Sequence, residues 1–91
     1  MTELEIVHNK RKLKRIDIDV LTRLLAILSE IDPIGITSLQ MKTGTKYSTC
    51  IGYVGFLERM GLVKLVIKGK NRDVNITERG REALKIMSAY I

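Results

Sequence analysis

The chain has 91 residues, a formal net charge of +6 at pH 7 and a hydrophobic content of 45%. This length favours one small domain, and the basic charge is typical of proteins that bind nucleic acid or anionic membrane surfaces. The sequence lacks an apolar run long enough to span a membrane, the charge-then-apolar order of a signal peptide, and a second cysteine for a disulfide. These features predict a soluble, cytoplasmic protein.

The N-terminal segment, residues 1–16, contains the basic run KRKLKR and has two interpretations. It is either a basic arm that contacts DNA phosphates, through Arg11 and Arg15, or an extra helix with a solvated end. Both stay open on the sequence alone. His8 has no cysteine or second histidine near it, so we predict no metal site.

A first core helix is predicted over residues 17–31. Six aliphatic residues between Val20 and Leu28 fall at helical spacing, and Asp17 provides an N-cap. Pro33 and Gly35 end the helix.

Two further helices follow, separated by a short turn that contains glycine. Thr37 and Gln40 match a capping box that would begin the first of them, and Gly44 ends it after about two turns. Thr45 would cap the second, over residues 45–60. Two helices joined in this way form a helix-turn-helix.

The remaining sequence predicts a β-hairpin and a final helix. The stretches LVKLVIK and DVNIT alternate and are rich in β-branched residues, and the turn GKNR between them is basic. Thr77 would cap the last helix, over residues 77–91.

The motifs TGTKYST at the turn, FLERMGLV at the end of the third helix and NITERGREAL after the hairpin, in this order, resemble the winged helix-turn-helix family of DNA-binding transcription regulators. The resemblance covers residues 17 to about 85. It implies an α+β, mainly α fold with a three-helix core, a β-hairpin wing and a C-terminal helix. It also implies a DNA-binding domain at 17–76, with helix 45–60 in the major groove and wing 68–73 on the minor groove or phosphates.

Two glycines weaken the predicted recognition helix and lie on one side of it. On a helical wheel, Lys46, Cys50, Tyr53, Val54 and Leu57 share the core arc, whereas Ser48, Gly52, Gly55 and Arg59 form the opposite strip. Each interior glycine costs a helix about 1 kcal/mol relative to alanine. The strip therefore indicates close approach to a partner, which is either DNA or another helix of the same protein or a symmetry mate.

The predicted DNA contacts combine the N-terminal part of this helix with the basic hairpin. They are Lys46, Tyr47, Ser48, Thr49, Gly52 and Arg59 on the helix, Lys68, Lys70 and Arg72 on the wing, and Arg11 and Arg15 in the N-terminal segment. Ile51 and Phe56 stand where the family usually carries polar residues, so we expect modest base reading and affinity dominated by phosphates. Cys50 is predicted to be a small buried hydrophobe.

The last helix is apolar on more than one face after Ala83. One helix packed on one domain needs only a stripe of about 100°. Either a partner covers the remaining apolar face, or the helix is buried deeply in its own domain. We predict a homodimer whose interface includes Ile86, Ala89 and Tyr90.

The sequence therefore predicts a sequence-specific transcription regulator that binds double-stranded DNA as a homodimer. Two other classes stay open: a winged-helix protein-interaction subunit of a transcription or replication assembly, and a non-specific chromatin or RNA-binding protein. No nucleophile with its base and no phosphate-binding glycine loop is present in the sequence, so neither an enzyme nor a cofactor is predicted. The sequence defines no target site, effector or regulated gene.

Overall fold

The computed structural model describes residues 16–89, which form four helices and a three-stranded antiparallel sheet. In chain order the elements are α1 (Ile18–Glu30), β1 (Ile34–Gly35), α2 (Ile36–Thr43), α3 (Tyr47–Arg59), β2 (Val63–Lys68), β3 (Asn71–Ile76) and α4 (Glu78–Ser88). The predicted architecture of three core helices, a hairpin wing and a last helix is confirmed. The N-terminal segment with Arg11 and Arg15, and Tyr90 at the other end, lie outside the described residues.

Helix α1 is the central element of the core. The carboxylate of Asp17 accepts a hydrogen bond of 2.9 Å from the Asp19 amide and so caps the helix as predicted. The inner stripe consists of Leu21, Leu24, Leu25 and Leu28, all buried. Burial of each such side chain contributes about 1.5–3 kcal/mol, so this stripe is a large share of the stabilisation available to a small domain.

The sheet contains a strand that the sequence pattern did not predict. Strand β1 has two residues, and pairs with the central strand β3 in the register Ile34↔Val74 and Gly35↔Asp73. Strands β2 and β3 form the predicted hairpin, from Val63↔Ile76 at its base to Lys68↔Asn71 at its tip. The link between α1 and α2 is therefore joined directly to the wing.

Two of the predicted helix caps are wrong. Gly35 is the N-cap of α2 and Lys46 the N-cap of α3, and within the described residues neither helix has a side-chain cap. Thr37 lies inside α2, so it cannot form the capping box. Thr45 precedes the N-cap of α3, and its hydroxyl lies 3.0 Å from that of Thr43 in the turn.

Helix α4 packs against α1 and the base of the wing. Its predicted cap is confirmed, because the Thr77 hydroxyl oxygen accepts a hydrogen bond of 3.0 Å from the Gly80 amide. Arg81 donates to the Ser29 carbonyl at 3.4 Å and lies 3.5 Å from the Asp32 carboxylate. Asp32 also accepts a hydrogen bond of 3.2 Å from the Ile76 amide, so the end of α1, strand β3 and α4 meet at one carboxylate.

Candidate nucleic-acid interface

A network of side-chain hydrogen bonds determines the turn between α2 and α3. The Gln40 amide group donates to the Thr45 carbonyl at 2.6 Å, and the Thr43 hydroxyl donates to the Gln40 carbonyl at 3.0 Å. Gly44 adopts a left-handed conformation with φ of 73°, which glycine accepts without steric strain. Thr43 is 4% exposed and the bonds are partly buried, so they restrict the angle between the two helices.

Helix α1 also contributes to this turn. The Arg23 guanidinium donates to the Thr43 carbonyl at 3.1 Å, at the C-terminal end of α2. A cation at this end of a helix interacts favourably with its unpaired carbonyls. This role of Arg23, Gln40 and Thr43 was not predicted, because the contacts depend on how the helices pack.

The inner face of α3 is buried as the helical wheel predicts. Cys50, Tyr53, Val54 and Leu57 form part of the core, whereas Lys46 lies at the N-cap with its side chain exposed. Burial raises the pKa of the Cys50 thiol above its usual value, and a hydrogen bond with the Thr45 side chain acts in the opposite direction. A buried neutral thiol fits the predicted role of a small hydrophobe.

The outer strip of α3, formed by Ser48, Gly52, Gly55 and Arg59, is open to solvent to different degrees. Ser48 and Arg59 are exposed, and the two glycines are partly exposed. A Cβ built at Gly55 would meet no atom within 4 Å among the described residues, beyond its own helix backbone and chain neighbours. A partner can therefore come close to the backbone of α3 at this point.

Two apolar residues of α3 contact the core without being fully buried. Ile51 and Phe56 are partly buried and pack against the core cluster. The expectation of modest base reading by this helix, which was based on these two residues, stays a prediction.

The first turn of α3 presents a mixed polar and aromatic surface. Lys46 and Ser48 are exposed, Tyr47 is 47% exposed, and Thr49 is partly buried. Since no side chain of the described residues caps this helix, its first amide N–H groups are available to an anion.

The wing carries its cations beyond the core. Lys68, Lys70 and Arg72 are all exposed, and Gly69, with φ of 59°, makes the tight turn between the strands. Leu65 and Val74 further down the hairpin are partly or fully buried. The hairpin therefore holds a positive tip away from the body of the domain.

An unforeseen hydrogen bond connects α3 with the start of α1. The backbone amide of Asp17 donates to the Tyr53 hydroxyl at 2.9 Å. Tyr53 is otherwise buried, so its hydroxyl is satisfied at the edge of the core. The start of α1 is thus attached to α3.

The structure describes two of the three predicted dimer residues. Ile86 is 62% exposed and Ala89 is exposed. Leu84 and Met87 pack against the core, and Met87 sulfur lies 3.5 Å from the Thr22 hydroxyl of α1. The dimer interface stays a prediction.

Other kinds of site find no support in residues 16–89. This part of the chain contains no group of three or more histidine, cysteine, aspartate or glutamate residues that could hold a metal ion. None of its helices has the length and apolarity required to cross a membrane.

Comparison with known proteins gives structural matches but no family model and no curated relative. A MarR-family transcriptional regulator from Silicibacter pomeroyi is 27% identical, with a TM-score of 0.73, and the match covers 77% of this chain and 49% of that one. The transcriptional regulator BldR from Sulfolobus solfataricus is 26% identical, with a TM-score of 0.72, over 78% of this chain and 52% of that one.

A third match has a more similar length. The DNA-binding protein Sso10a-2 from Sulfolobus solfataricus is 20% identical, with a TM-score of 0.74, over 84% of this chain and 78% of that one. At this identity the likeness establishes the fold alone. The chain spans about half the length of the two regulators.

The hydrogen-bonded turn, the third helix with its exposed first turn and the basic hairpin define a winged helix-turn-helix protein. Its fold is that of the DNA-binding transcription regulators that its sequence motifs resemble, and the structural matches confirm this resemblance.

Proposed function

We propose that this protein is a sequence-specific regulator of transcription that binds double-stranded DNA. The observation that carries the proposal is the exposed first turn of α3, held at a defined angle by the hydrogen-bonded turn before it, together with the exposed basic tip of the wing. The helix suits a major groove, and the hairpin suits the adjacent backbone or minor groove. We place its action in the cytoplasm.

In this proposal α3 enters the major groove with its N-terminal end first. Lys46, Ser48 and Thr49 contact base edges or phosphates, and Tyr47 adds an aromatic surface. The open space at Gly55 supports close approach of the helix backbone, with Gly52 beside it and Arg59 at the far end of the strip. Few long polar side chains project from the middle of α3, so base reading contributes less than phosphate contacts.

The wing and the N-terminal segment supply most of the electrostatic attraction. Lys68, Lys70 and Arg72 contact phosphates or the minor groove, and Arg11 and Arg15 extend the contact along the backbone. Each phosphate neutralised releases condensed counterions, so the affinity falls as the salt concentration rises.

We further propose that the protein acts as a homodimer. Ile86, Ala89 and Tyr90 would form a two-fold contact on α4, which removes exposed apolar surface and sets two recognition helices on one side of the duplex. The exposed Ile86 side chain supports this assignment. Half-sites should then be about 34 Å apart, or a multiple of that distance.

A protein-interaction subunit is the second candidate. The outer strip of α3 favours it, because the open space at Gly55 also suits close packing against a helix of a partner. A non-specific chromatin or RNA-binding protein is a third class.

A matched pair of variants tests DNA binding by the wing. Lys70→Gln/Arg72→Gln removes two exposed cations from the tip, and Arg79→Gln/Lys85→Gln removes two exposed cations from α4. We expect the wing variant to lower the affinity for every duplex about tenfold or more and to reduce the salt slope by about two units. The α4 variant should retain the slope. Equal behaviour of the two variants would exclude the wing from the interface.

Selection from random duplex DNA separates a specific regulator from a general DNA-binding protein. A regulator should enrich a consensus, and a homodimer should enrich a palindrome whose halves are separated by about one helical turn. Enrichment of no sequence, with tight binding to all, would support the non-specific class. Absence of duplex binding would leave the protein-interaction candidate.

Sedimentation of the wild type and of Ile86→Glu/Tyr90→Glu tests the dimer. The wild type should be a dimer at tens of micromolar and the variant a monomer with the same helical content, because a charge cannot be buried without a partner. A wild-type monomer, or a variant that still dimerises, would put the interface elsewhere.

A further inference from the structure

The face of the hairpin that packs on the core continues past the core by one residue pair. Register along the hairpin places Val63 opposite Ile76, Leu65 opposite Val74, and Ile67 opposite Arg72. Because side chains alternate between faces, all three pairs point to the same side. The first two contribute to the core, but the third pair is exposed.

Ile67 is the exposed apolar member of this last pair. Its side chain is 66% exposed, although its position in the alternating pattern is that of a core residue. Lys68 and Lys70 lie beside it in the chain and are also exposed. A hairpin that stopped at Leu65 and Val74 would pack on the core equally well, so the extra pair has no packing role in the described fold.

Ile67 and Arg72 are close enough to act on one ligand. Side chains directly opposite in an antiparallel pair have Cβ atoms about 4.5–5.5 Å apart. The pair therefore presents a branched apolar group and a planar cation side by side at the end of the wing. A phosphate backbone attracts the cation but offers nothing to the isoleucine, whereas the floor of a groove can receive both.

We propose that Ile67 and Arg72 together enter the minor groove and make the wing prefer A·T over G·C base pairs, an inference that rests on the proposed DNA-binding function. Narrow A·T-rich minor grooves have an enhanced negative potential that attracts arginine. The A·T floor carries only acceptor atoms, whereas a G·C pair adds the projecting N2 amino group of guanine. Ile67 packs against the smooth A·T floor and collides with that amino group.

The same geometry gives each residue at the tip of the wing its own role. Arg72 supplies attraction that is strongest in a narrow A·T groove, and Ile67 adds steric discrimination against the guanine amino group. Lys68 and Lys70, which flank the turn, contact the phosphates at its edges. The wing then reads a short sequence that α3 does not touch.

Inosine provides a sharp test, because an I·C pair lacks the N2 amino group but keeps the major-groove pattern of G·C. Adenine N3 methylation interference first locates the base pairs reached through the minor groove. Three duplexes are then compared at those positions, carrying A·T, G·C or I·C, by titration with the wild-type protein. We expect G·C to bind about five- to tenfold more weakly than A·T, and I·C to bind like A·T.

Two isoleucine variants assign the effect to its residue. Ile67→Thr keeps the branched Cβ and the strand preference but is one methyl group shorter and carries a hydroxyl that can accept a hydrogen bond from the guanine N2 amino group. It should therefore reduce the difference between A·T and G·C to the part that Arg72 supplies. Ile31→Thr changes another exposed isoleucine, 40% exposed at the end of α1, and should leave the difference intact. Circular dichroism of each variant checks that the fold is retained.

The possible outcomes distinguish a failure of this inference from a failure of the proposed DNA-binding function. If the wild type binds duplex DNA but treats G·C and I·C alike, or if Ile67→Thr discriminates as well as the wild type, the minor-groove assignment is wrong while DNA binding stands. If the wild type binds none of the three duplexes, and none of a random pool, the proposed function itself fails.

Discussion

Helices α3 and α4 both contain glycine, and Gly55 of α3 and Gly80 of α4 have opposite surroundings. At Gly80 in α4, a Cβ would collide with the Leu62 carbonyl oxygen and would lie 2.8 Å from the Ile76 side chain. At Gly55 in α3, a Cβ would meet nothing within 4 Å among the described residues outside its own helix. Gly80 is therefore required by packing within the domain, whereas the missing side chain at Gly55 leaves room for something outside it.

Gly80→Ala should produce the largest loss of stability. The added methyl group would force the start of α4 away from the carbonyl of Leu62, at a cost of about 3 kcal/mol in the free energy of unfolding. Urea unfolding at constant pH would measure the loss, with Gly55→Ala as the matched control. Equal midpoints for the two alanine variants would contradict the contrast.

Thr77→Val should weaken the same contact from its other side. The Thr77 hydroxyl donates to the Gly61 carbonyl at 2.7 Å and accepts from the Gly80 amide at 3.0 Å. Loss of this cap and its link to the end of α3 should reduce the free energy of unfolding by about 1–2 kcal/mol.

Thr37→Val is the control for this cap, because Thr37 is exposed and follows the true N-cap of α2. We expect a change within about 0.5 kcal/mol. A large loss at Thr37 and none at Thr77 would show that the assignment of the two caps is reversed.

Substitutions at Gly55 should have the reverse effect on stability. Gly55→Ala should raise the free energy of unfolding by about 0.5–1 kcal/mol, because alanine loses less backbone entropy in a helix. Gly55→Leu, and Gly52→Leu beside it, should leave the melting temperature unchanged or slightly higher but weaken binding to duplex DNA. A collapse of the melting temperature would mean that the outer strip is buried against protein.

The smallest effect concerns the opposite face of α3. Burial raises the folded-state pKa of Cys50 above its ordinary value of 9.0. The unfolded chain therefore releases the thiol proton first as the pH rises, so this contribution to stability is fully present below about pH 9 and is lost as the pH rises through the folded value.

Urea unfolding at pH 7 and at pH 10 would detect this contribution as a difference between variants. Wild type should lose more stability over that interval than Cys50→Ala, which carries the same other ionisable groups. Identical pH dependence would show that the thiol does not titrate differently in the folded state.

The sequence was sufficient for the helices, the hairpin and the inner face of α3. These features depend on local periodicity, as in the leucines of α1 and the arc from Cys50 to Leu57. The caps at Asp17 and Thr77 were also predicted correctly, since each side chain bonds an amide two or three residues away. Features of this kind are formed by residues close together in the chain, so the sequence alone predicts them.

The errors occurred where contacts outside the local helix or strand pattern decide which groups are bonded. Thr45 was predicted to cap α3, but it bonds Thr43 and Gln40 across the turn. Strand β1 exists only because Ile34 pairs with Val74, forty residues away in the chain. The candidate interface had a similar limit: sequence identified its charged residues, whereas the exposed Ile67 followed from where the core ends.

Strand β1 and Asp32 are both hydrogen-bonded to strand β3 at the base of the wing. We therefore expect the base of the hairpin to be more rigid than its tip. Buried contacts and cross-links raise the free energy of local opening, so the amide hydrogens of Val74 and Ile76 should exchange slowly and those of Lys70 and Asn71 quickly. The tip can then bend to follow a groove that narrows or widens along the duplex, while the base keeps its distance from α3. One hairpin would thus combine a base at a fixed distance from α3 with a tip that adapts to the width of the groove.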